Sequence, residues 1–374
     1  MRTQLKTIFG TLIAGCLLGC GSAADPAASL PLPEGEDTVT GNAGYSFFVA
    51  DTVSNDLLAE YGIAFVDDIS ASSSGFIALL DGVNSTVTVI DPQGNAITTG
   101  GSGSGPGEYQ WPKAIAVSGN GSLAVSDFMG GFVRILMPGL GSWADIDGFI
   151  MQNPGRMFLL ESGDLAGMRI TFRTEDGESF IGHQTALWTP PASDPAIVYS
   201  ESLRPFSLND FGWTLTAPYP MACSGAGIVY TAEVSTEIYS LHSYAPDGTE
   251  QWSVRRPFVR IEKTQEEIEI EEEMVRRLMQ QSEHQADFTP DPYHFAVSEL
   301  ALGPEGNLWA ARPSAENTFF DVFEPDSGGY LYSVSTDARY QFIRVTPAGI
   351  LAVPEGNEPP LLMLDIQPLT AASN

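Results

Sequence analysis

The sequence of 374 residues predicts an all-β fold, a six-bladed β-propeller of four-stranded antiparallel blades with one inserted helix at about residues 264–282. Three observations predict it. Short β-branched and aromatic runs are interrupted every few residues by Gly, Pro, Asn or Asp, which is typical of many short antiparallel strands. A unit made of a glycine and an alternating apolar strand recurs along the chain. Helical periodicity is nearly absent outside one segment.

The first residues are typical of an export signal. Arg2 and Lys6 precede an almost uncharged apolar run at 7–19, which is shorter than the roughly 20 residues of a membrane-spanning helix. The run ends in Leu-Leu-Gly-Cys at 17–20, which resembles the lipobox of bacterial lipoproteins. The resemblance implies that Cys20 is lipidated after cleavage. The segment 13–16 also fits the motif, but it leaves a short apolar region, so Cys20 is favoured.

These motifs divide the chain into a signal peptide (1–19), a flexible tether (20–42) rich in Ala, Pro, Ser and Gly, and a propeller domain (43–374) with a helical insertion at 262–284. The predicted location is the cell envelope, with the membrane as a partner through the lipid anchor. Gly21 in place of Asp after the lipidated cysteine resembles lipoproteins sorted to the outer membrane of Gram-negative bacteria.

Composition limits the classes of partner. With 47 acidic and 17 basic residues the formal net charge is −30, which excludes nucleic acid as a partner because its phosphates would be repelled. Such a charge keeps a protein soluble in salty surroundings, or it attracts cations or basic partners. We expect a monomer. Cys223 is the single cysteine left after cleavage and lipidation, so no intramolecular disulfide can form, and a buried apolar role is favoured over a nucleophilic one.

The repeats define the blades. The clearest copies of the unit begin at Gly75, Gly121 and Gly306, and weaker copies begin at Gly163, Gly227 and Gly349. The successive spacings are 46, 42, 64, 79 and 43 residues, and three of them match the roughly 40–50 residues of a four-stranded blade. Six glycines predict six blades, although the 64-residue gap leaves a seventh open. Radial stacking buries both faces of each sheet, and the strand at 45–49 is expected to complete the last blade.

Part of the chain resembles NHL-type repeats. The matching segments are 101–109, Trp111 with Pro112, 114–117, 121–127 and 133–136. Asp81 and Asn84 match the strand-to-strand turn of that family. Thr86 and Phe132 replace its usual arginine, and Gly130 replaces the turn asparagine in the second repeat. The overall likeness is to lipoprotein six-bladed propellers of environmental bacteria, and it implies the fold more than any activity.

The glycine-rich stretch 101–107 is not a dinucleotide-binding loop, because Pro106 and Pro112 prevent the helix that such a loop requires. No cofactor is therefore predicted, and a divalent metal is left open.

The inserted helix begins at Thr264, which forms a capping box with Glu267. Glutamates fill its first half and Arg276 and Arg277 lie in its second half, which complements the helix dipole. The helix is interpreted as a brace or lid on one face of the ring, and a partner-docking helix is the alternative.

Two sets of residues are candidates for binding. His284, Asp287, Asp291 and His294 lie within eleven residues, and imidazole and carboxylate are metal ligands, although the spacing fits no familiar motif and a solvated loop is the alternative. Arg169 and Arg312 follow inner strands and could bind an anionic ligand in the channel, or form structural salt bridges.

No nucleophile elbow, paired-carboxylate signature or channel calcium site is evident, so the catalytic residues are unknown and an enzyme is disfavoured. The sequence predicts a lipid-anchored scaffold that binds a protein, peptide or small ligand. The alternative is a lactonase-like hydrolase or lyase with a divalent metal in the channel.

Overall fold

The computed structural model describes residues 44–139, 143–149, 154–280, 288–313, 318–336, 338, 340–355 and 360–368. Strands predominate in them. Three helices are present in these ranges: α1 (Asn55–Glu60), α2 (Leu208–Thr216) and α3 (Gln265–Gln280). The predicted signal peptide, Cys20 and the tether lie outside the described residues.

Sixteen strands form four sheets of four antiparallel strands, each in sequence order. The first two sheets are β2 (Asp68–Ala71), β3 (Ile77–Asp81), β4 (Thr86–Ile90) and β5 (Ala96–Gly100), then β6 (Pro112–Val117), β7 (Leu123–Asp127), β8 (Phe132–Leu136) and β9 (Trp143–Asp147). The next two are β10 (Arg156–Leu159), β11 (Leu165–Glu175), β12 (Glu178–Trp188) and β13 (Ile197–Pro205), then β14 (Met221–Cys223), β15 (Val229–Ala232), β16 (Tyr239–Tyr244) and β17 (Glu250–Arg256).

The remaining strands form one eight-stranded sheet with two halves. One half is β18 (Glu299–Leu302), β19 (Leu308–Arg312), β20 (Thr318–Phe323) and β21 (Tyr330–Thr336). The other is β22 (Tyr340–Thr346), β23 (Gly349–Pro354), β24 (Leu361–Pro368) and β1 (Tyr45–Val53). In the described part of the chain the halves are joined at β1, which runs parallel to β21 over two residue pairs, whereas β1 pairs with β24 from Tyr45 to Val53. The predicted closure by the N-terminal strand is confirmed.

The first strands of these groups, β2, β6, β10, β14, β18 and β22, contact one another in that order, and β22 returns to β2. The arrangement is therefore propeller-like, with the first strands around a central axis. Successive groups share hydrophobic clusters. Trp188 of the third sheet, for example, is fully buried against Phe149 and lies in one cluster with Val133 and Ile146 of the second. Each sheet thus buries its faces against its neighbours, which is the physical reason for the ring.

The two faces of the ring differ. The turn face carries the tight turns between first and second strands, where Gly75, Gly121, Gly163, Gly227 and Gly306 have φ between 81° and 89°, a region that favours glycine. The loop face carries the connections between groups, which include α1, α2 and α3. All of residues 163–227 are described, and they hold β11 to β13, α2 and β14, with no further sheet. A long hairpin and α2 therefore account for the 64-residue gap.

The capping box of α3 is confirmed, because the Thr264 amide donates to Glu267 Oε2 at 2.7 Å and the Glu267 amide donates to Thr264 Oγ1 at 3.3 Å. The helix lies in the connection between β17 and β18 and contacts α2. The sequence interpretation missed α1 and α2. The signal for α2 was present, since Ser207 accepts the Asp210 amide in a Ser-x-x-Asp arrangement.

Candidate functional site: the axial charge network

Four charged side chains from four different first strands meet near the loop-face end of the axis, and we call them the axial charge network. Asp68, Arg156 and Glu299 begin β2, β10 and β18, and Arg344 lies in β22. Arg344 Nε donates to Asp68 Oδ1 at 3.1 Å, and its Nη1 donates to Glu299 Oε2 at 2.9 Å. Arg156 Nη2 lies 3.2 Å from Glu299 Oε1. The network joins sheets that are distant in sequence.

The network is buried and electrically balanced. The four side chains are 10–20% exposed, and two positive charges face two negative charges. Burial alone would lower the pKa of Arg344, but Glu299 and Asp68 together raise it. Burial lowers the pKa of Arg156, which Glu299 opposes and Arg344 reinforces. The ion pairs between these side chains offset the free-energy cost of burying their charges.

Asp68 also holds the neighbouring sheet. Its Oδ2 accepts the Ile115 amide of β6 at 3.2 Å, and Ser70 Oγ accepts the Val117 amide at 3.0 Å. These amides lie on the inward edge of β6, where no strand can pair with them. The polar side chains of β2 thus satisfy backbone groups that the ring would otherwise leave open.

Below the network, a cavity of about 110 Å³ opens toward the turn face. Its rim includes Ser72, Ser118, Ser224 and Thr346, and Arg156 reaches it from the side of the network. We call it the axial cavity. It is the place where a small molecule could contact all six groups of strands.

The chemistry of the network does not fit a metal ion. Its two carboxylates both pair with arginines, whose positive charges oppose a cation. In the described part of the chain, no group of three or more His, Cys, Asp or Glu side chains is placed to hold a metal.

The predicted metal ligands are only partly described, since His284 and Asp287 lie outside the described residues. Asp291 accepts hydrogen bonds from Thr236 Oγ1 at 3.0 Å and from the Tyr293 amide at 2.9 Å. His294 Nε2 lies 3.5 Å from Glu267 Oε1. The two described members thus have separate local partners, and the four-residue metal site stays a prediction.

Arg169 and Arg312 lie on second strands, outside the axial charge network. Arg169 donates to Gln184 Oε1 at 3.0 and 3.2 Å, and its guanidinium carbon lies 5.1 Å from the centre of the Trp188 ring. Arg312 Nε lies 3.2 Å from Asp321 Oδ2. Both partners belong to the same sheet as the arginine. A ligand-binding role for these arginines stays a prediction.

Sequence reasoning missed the axial charge network. A signal existed, because Asp68, Arg156 and Glu299 each stand seven residues before the turn glycine of their repeat, in a strand that is otherwise apolar. A charged residue at the same position of three repeats marks a shared location on the axis. Arg344 stands five residues before its glycine and breaks the pattern.

A second buried group lies near the loop face. His183 of β12 is 2% exposed, and neither ring nitrogen makes a hydrogen bond of good geometry, although the Thr214 backbone lies close enough to act as a weak acceptor. Its ring centroid lies 5.9 Å from that of Trp213 in α2 and 5.7 Å from that of Tyr219. Burial lowers the pKa of His183 to about 4; the Thr214 backbone opposes this shift and Arg204 adds to it.

Comparisons with known proteins give distant structural likenesses. The PQQ-bound aldose sugar dehydrogenase of Streptomyces coelicolor aligns with a TM-score of 0.47 and 16% identity over 87% of this chain and 99% of that chain. A catalytically inactive virginiamycin B lyase of Staphylococcus aureus, solved with quinupristin, gives 0.40 and 13% over 80% of each chain. Regucalcin, a calcium-binding protein of Agrobacterium tumefaciens, gives 0.41 and 10% over 80% of this chain and 90% of that chain.

No family model and no curated protein matches the sequence. The structural likenesses are too low in identity and TM-score to carry an argument about activity. The fold class rests on the sheets and their contacts: the protein is an all-β chain with a propeller-like arrangement. No helix among the described residues is long and apolar enough to cross a membrane.

Proposed function

We propose that the protein is a lipid-anchored binding scaffold of the cell envelope, an NHL-like six-bladed propeller without catalytic activity. The proposed count of six is supported by the eight-stranded sheet, because its two halves each have the strand order of one blade and pair over two residues. The NHL likeness is supported by the turn at Asp81, whose carboxylate accepts the Asn84 amide at 3.0 Å and the Asn84 side chain at 2.9 Å.

The observation that carries the proposal is the axial charge network. A hydrolase or lyase of the lactonase type would require a cluster of uncompensated oxygen ligands in the channel to hold its metal. Here Arg344 and Arg156 compensate both carboxylates, and Asp68 additionally holds β6. The centre of the ring is thus occupied by groups that stabilise the sheets, which leaves the faces and the axial cavity for binding.

The register of β1 orients the ring relative to the proposed anchor. Tyr45 pairs with Pro368, and Val53 pairs with Leu361. Leu364 pairs with Ile350, next to the turn at Gly349, so β1 begins at the turn face and ends at the loop face. A tether from Cys20 would therefore reach the domain at its turn face. The loop face, with α2 and α3, would point away from the membrane toward a partner.

Metal analysis tests the scaffold against the metalloenzyme. The purified protein is analysed for bound metals, and its thermal midpoint is measured with calcium, zinc and EDTA. The scaffold predicts less than about 0.1 equivalent of any divalent metal and no shift in midpoint. A stoichiometric metal whose removal lowers the midpoint would overturn the proposal.

The anchor is tested by labelling expressing bacteria with a radioactive fatty acid. We expect label in the wild-type protein and in Cys16→Ser, and none in Cys20→Ser. Label that persists in Cys20→Ser and disappears in Cys16→Ser would show that Cys16 is the lipidated residue. An unlabelled wild type would show that the protein has no lipid anchor.

A further inference from the structure

The axial cavity has the composition of a small ligand site. Its lining includes apolar residues of the first strands, among them the partly exposed Phe158 and Leu302. The hydroxyl-bearing rim lies at the turn face together with the exposed Glu161, and Arg156 is the basic side chain on the opposite side. A molecule entering from the turn face would meet hydroxyls first, then apolar walls, then a guanidinium.

Arg156 is short of partners. Its side chain is 17% exposed, and the contact with Glu299 at 3.2 Å is its only ion pair among the described residues. Its Nε is buried without a hydrogen-bond partner, and Glu299 Oε1 lacks one as well, because the contact does not have hydrogen-bond geometry. A buried guanidinium with unmet donors is costly unless another acceptor is supplied.

The other arginine of the network differs in this respect. Arg344 donates to both Asp68 and Glu299 with good geometry and does not line the cavity. The Glu299 carboxylate is therefore already engaged by Arg344, and it offers Arg156 only one poorly aligned contact. Of the two arginines in the network, only Arg156, which faces the cavity, has a buried donor without an acceptor among the described residues.

We propose that the axial cavity binds a small aliphatic carboxylate, whose carboxylate group accepts hydrogen bonds from Arg156 and whose chain contacts the apolar walls. The planar guanidinium fits a planar carboxylate with two hydrogen bonds. The volume of about 110 Å³ holds roughly four water molecules, so the enclosed part of the ligand has roughly four to six non-hydrogen atoms. This inference rests on the proposed scaffold function and names one ligand class for it.

The charge of the protein affects this binding in a predictable direction. A net charge of −30 repels an anion from a distance, whereas Arg156 attracts it only at short range. Added salt screens the long-range repulsion first, so we expect affinity for the carboxylate to rise or stay level between low and physiological salt. Binding to exposed basic residues would weaken instead.

The test is calorimetric titration of the full-length protein with sodium butyrate, sodium hexanoate and neutral butanamide. For a ligand of this size we expect a dissociation constant on the order of 0.1–1 mM for the carboxylates, and at least tenfold weaker binding of butanamide. Arg156→Gln should weaken butyrate binding at least tenfold, and Arg173→Gln, which changes a half-exposed arginine outside the cavity, should not.

Because Arg156→Gln also removes an ion pair, a second variant blocks the entrance and keeps the arginine. Gly225 lies at the rim, and a Cβ there would meet nothing within 4 Å, so Gly225→Phe should fold and obstruct the cavity. Gly44→Phe, which has equally open surroundings outside the cavity, is the control. We expect loss of butyrate binding in the first variant and wild-type binding in the second.

Butyrate binding that is unchanged in both Arg156→Gln and Gly225→Phe would overturn the carboxylate site. So would a wild-type protein that binds neither carboxylate. Neither result would contradict the scaffold proposal. That proposal would be contradicted by a different finding, a stoichiometric structural metal.

Discussion

Protonation of His183 is expected to destabilise the fold in mildly acidic solution. The imidazole is 2% exposed among Trp213, Tyr219 and the strands of the third sheet, and only the Thr214 backbone, in poor geometry, can accept a proton from it. Arg204, whose guanidinium carbon lies 3.6 Å from the centre of the Trp213 ring, adds a nearby positive charge. The folded protein therefore favours the neutral ring.

The magnitude follows from the pKa. Burial lowers the pKa of His183 from 6.5 to about 4, a difference of about 2.5, and each unit corresponds to about 1.4 kcal/mol. The unfolded state binds the proton first as the pH falls. The stability contributed by the neutral ring is therefore fully present above pH 6.5 and is lost progressively toward pH 4. The loss amounts to about 2 kcal/mol at pH 5 and about 3 kcal/mol below pH 4.

The assay is urea denaturation between pH 7.5 and pH 4.5 of the wild type, His183→Phe and Tyr219→Phe. Many carboxylates titrate in this range, but their effect cancels in the difference between wild type and variant. We expect the free energy of unfolding to fall by about 2 kcal/mol less in His183→Phe than in the wild type between pH 7.5 and pH 5. The control removes only the hydroxyl of Tyr219, whose ring packs against His183 and whose pKa burial raises to about 12, so it should keep the wild-type slope. Equal slopes for His183→Phe and the wild type would refute the reasoning.

Three further predictions concern stability and reactivity. Asp127→Ala should cost about 3 kcal/mol in denaturation, since this fully buried carboxylate accepts the amides of three loop residues, whereas Asp247→Ala, at an exposed turn, should shift the midpoint less. Gly182→Ala should cost at least about 2 kcal/mol, because its Cβ would clash with the backbone oxygen of Ser202; a change within experimental error would contradict that close approach. Cys223 should react with a thiol reagent only after denaturation, because burial raises its pKa to about 12; rapid reaction in the native protein would contradict this.

The repetitive part of the fold was predictable because its signals are local. The turn glycines need a positive φ that a side chain disfavours, so they stand out in the sequence. The capping box of α3 lies within four residues, and α3 begins where it predicts. The closing strand β1 was predictable by counting strands, because the last repeat lacked one.

The axial charge network was not predictable because its contacts are not local. Arg344 bonds to Asp68, which is 276 residues away in sequence, and only ring closure brings them together. Arg169 and Arg312 were selected because they follow inner strands and could face the channel of a chain with few basic residues. The structure shows that both have partners in their own sheets, whereas the arginine with unmet donors, Arg156, begins a strand whose repeat is weak.

A double-mutant cycle of Arg344→Met and Glu299→Gln, measured by denaturation in calcium and in EDTA, tests most directly whether ion pairs hold the centre of the ring. The account predicts a coupling energy of about 1–3 kcal/mol that is the same in both solutions. A coupling below about 0.5 kcal/mol, together with stabilisation of the wild type by calcium, would contradict it and would show that the carboxylates on the axis serve a metal.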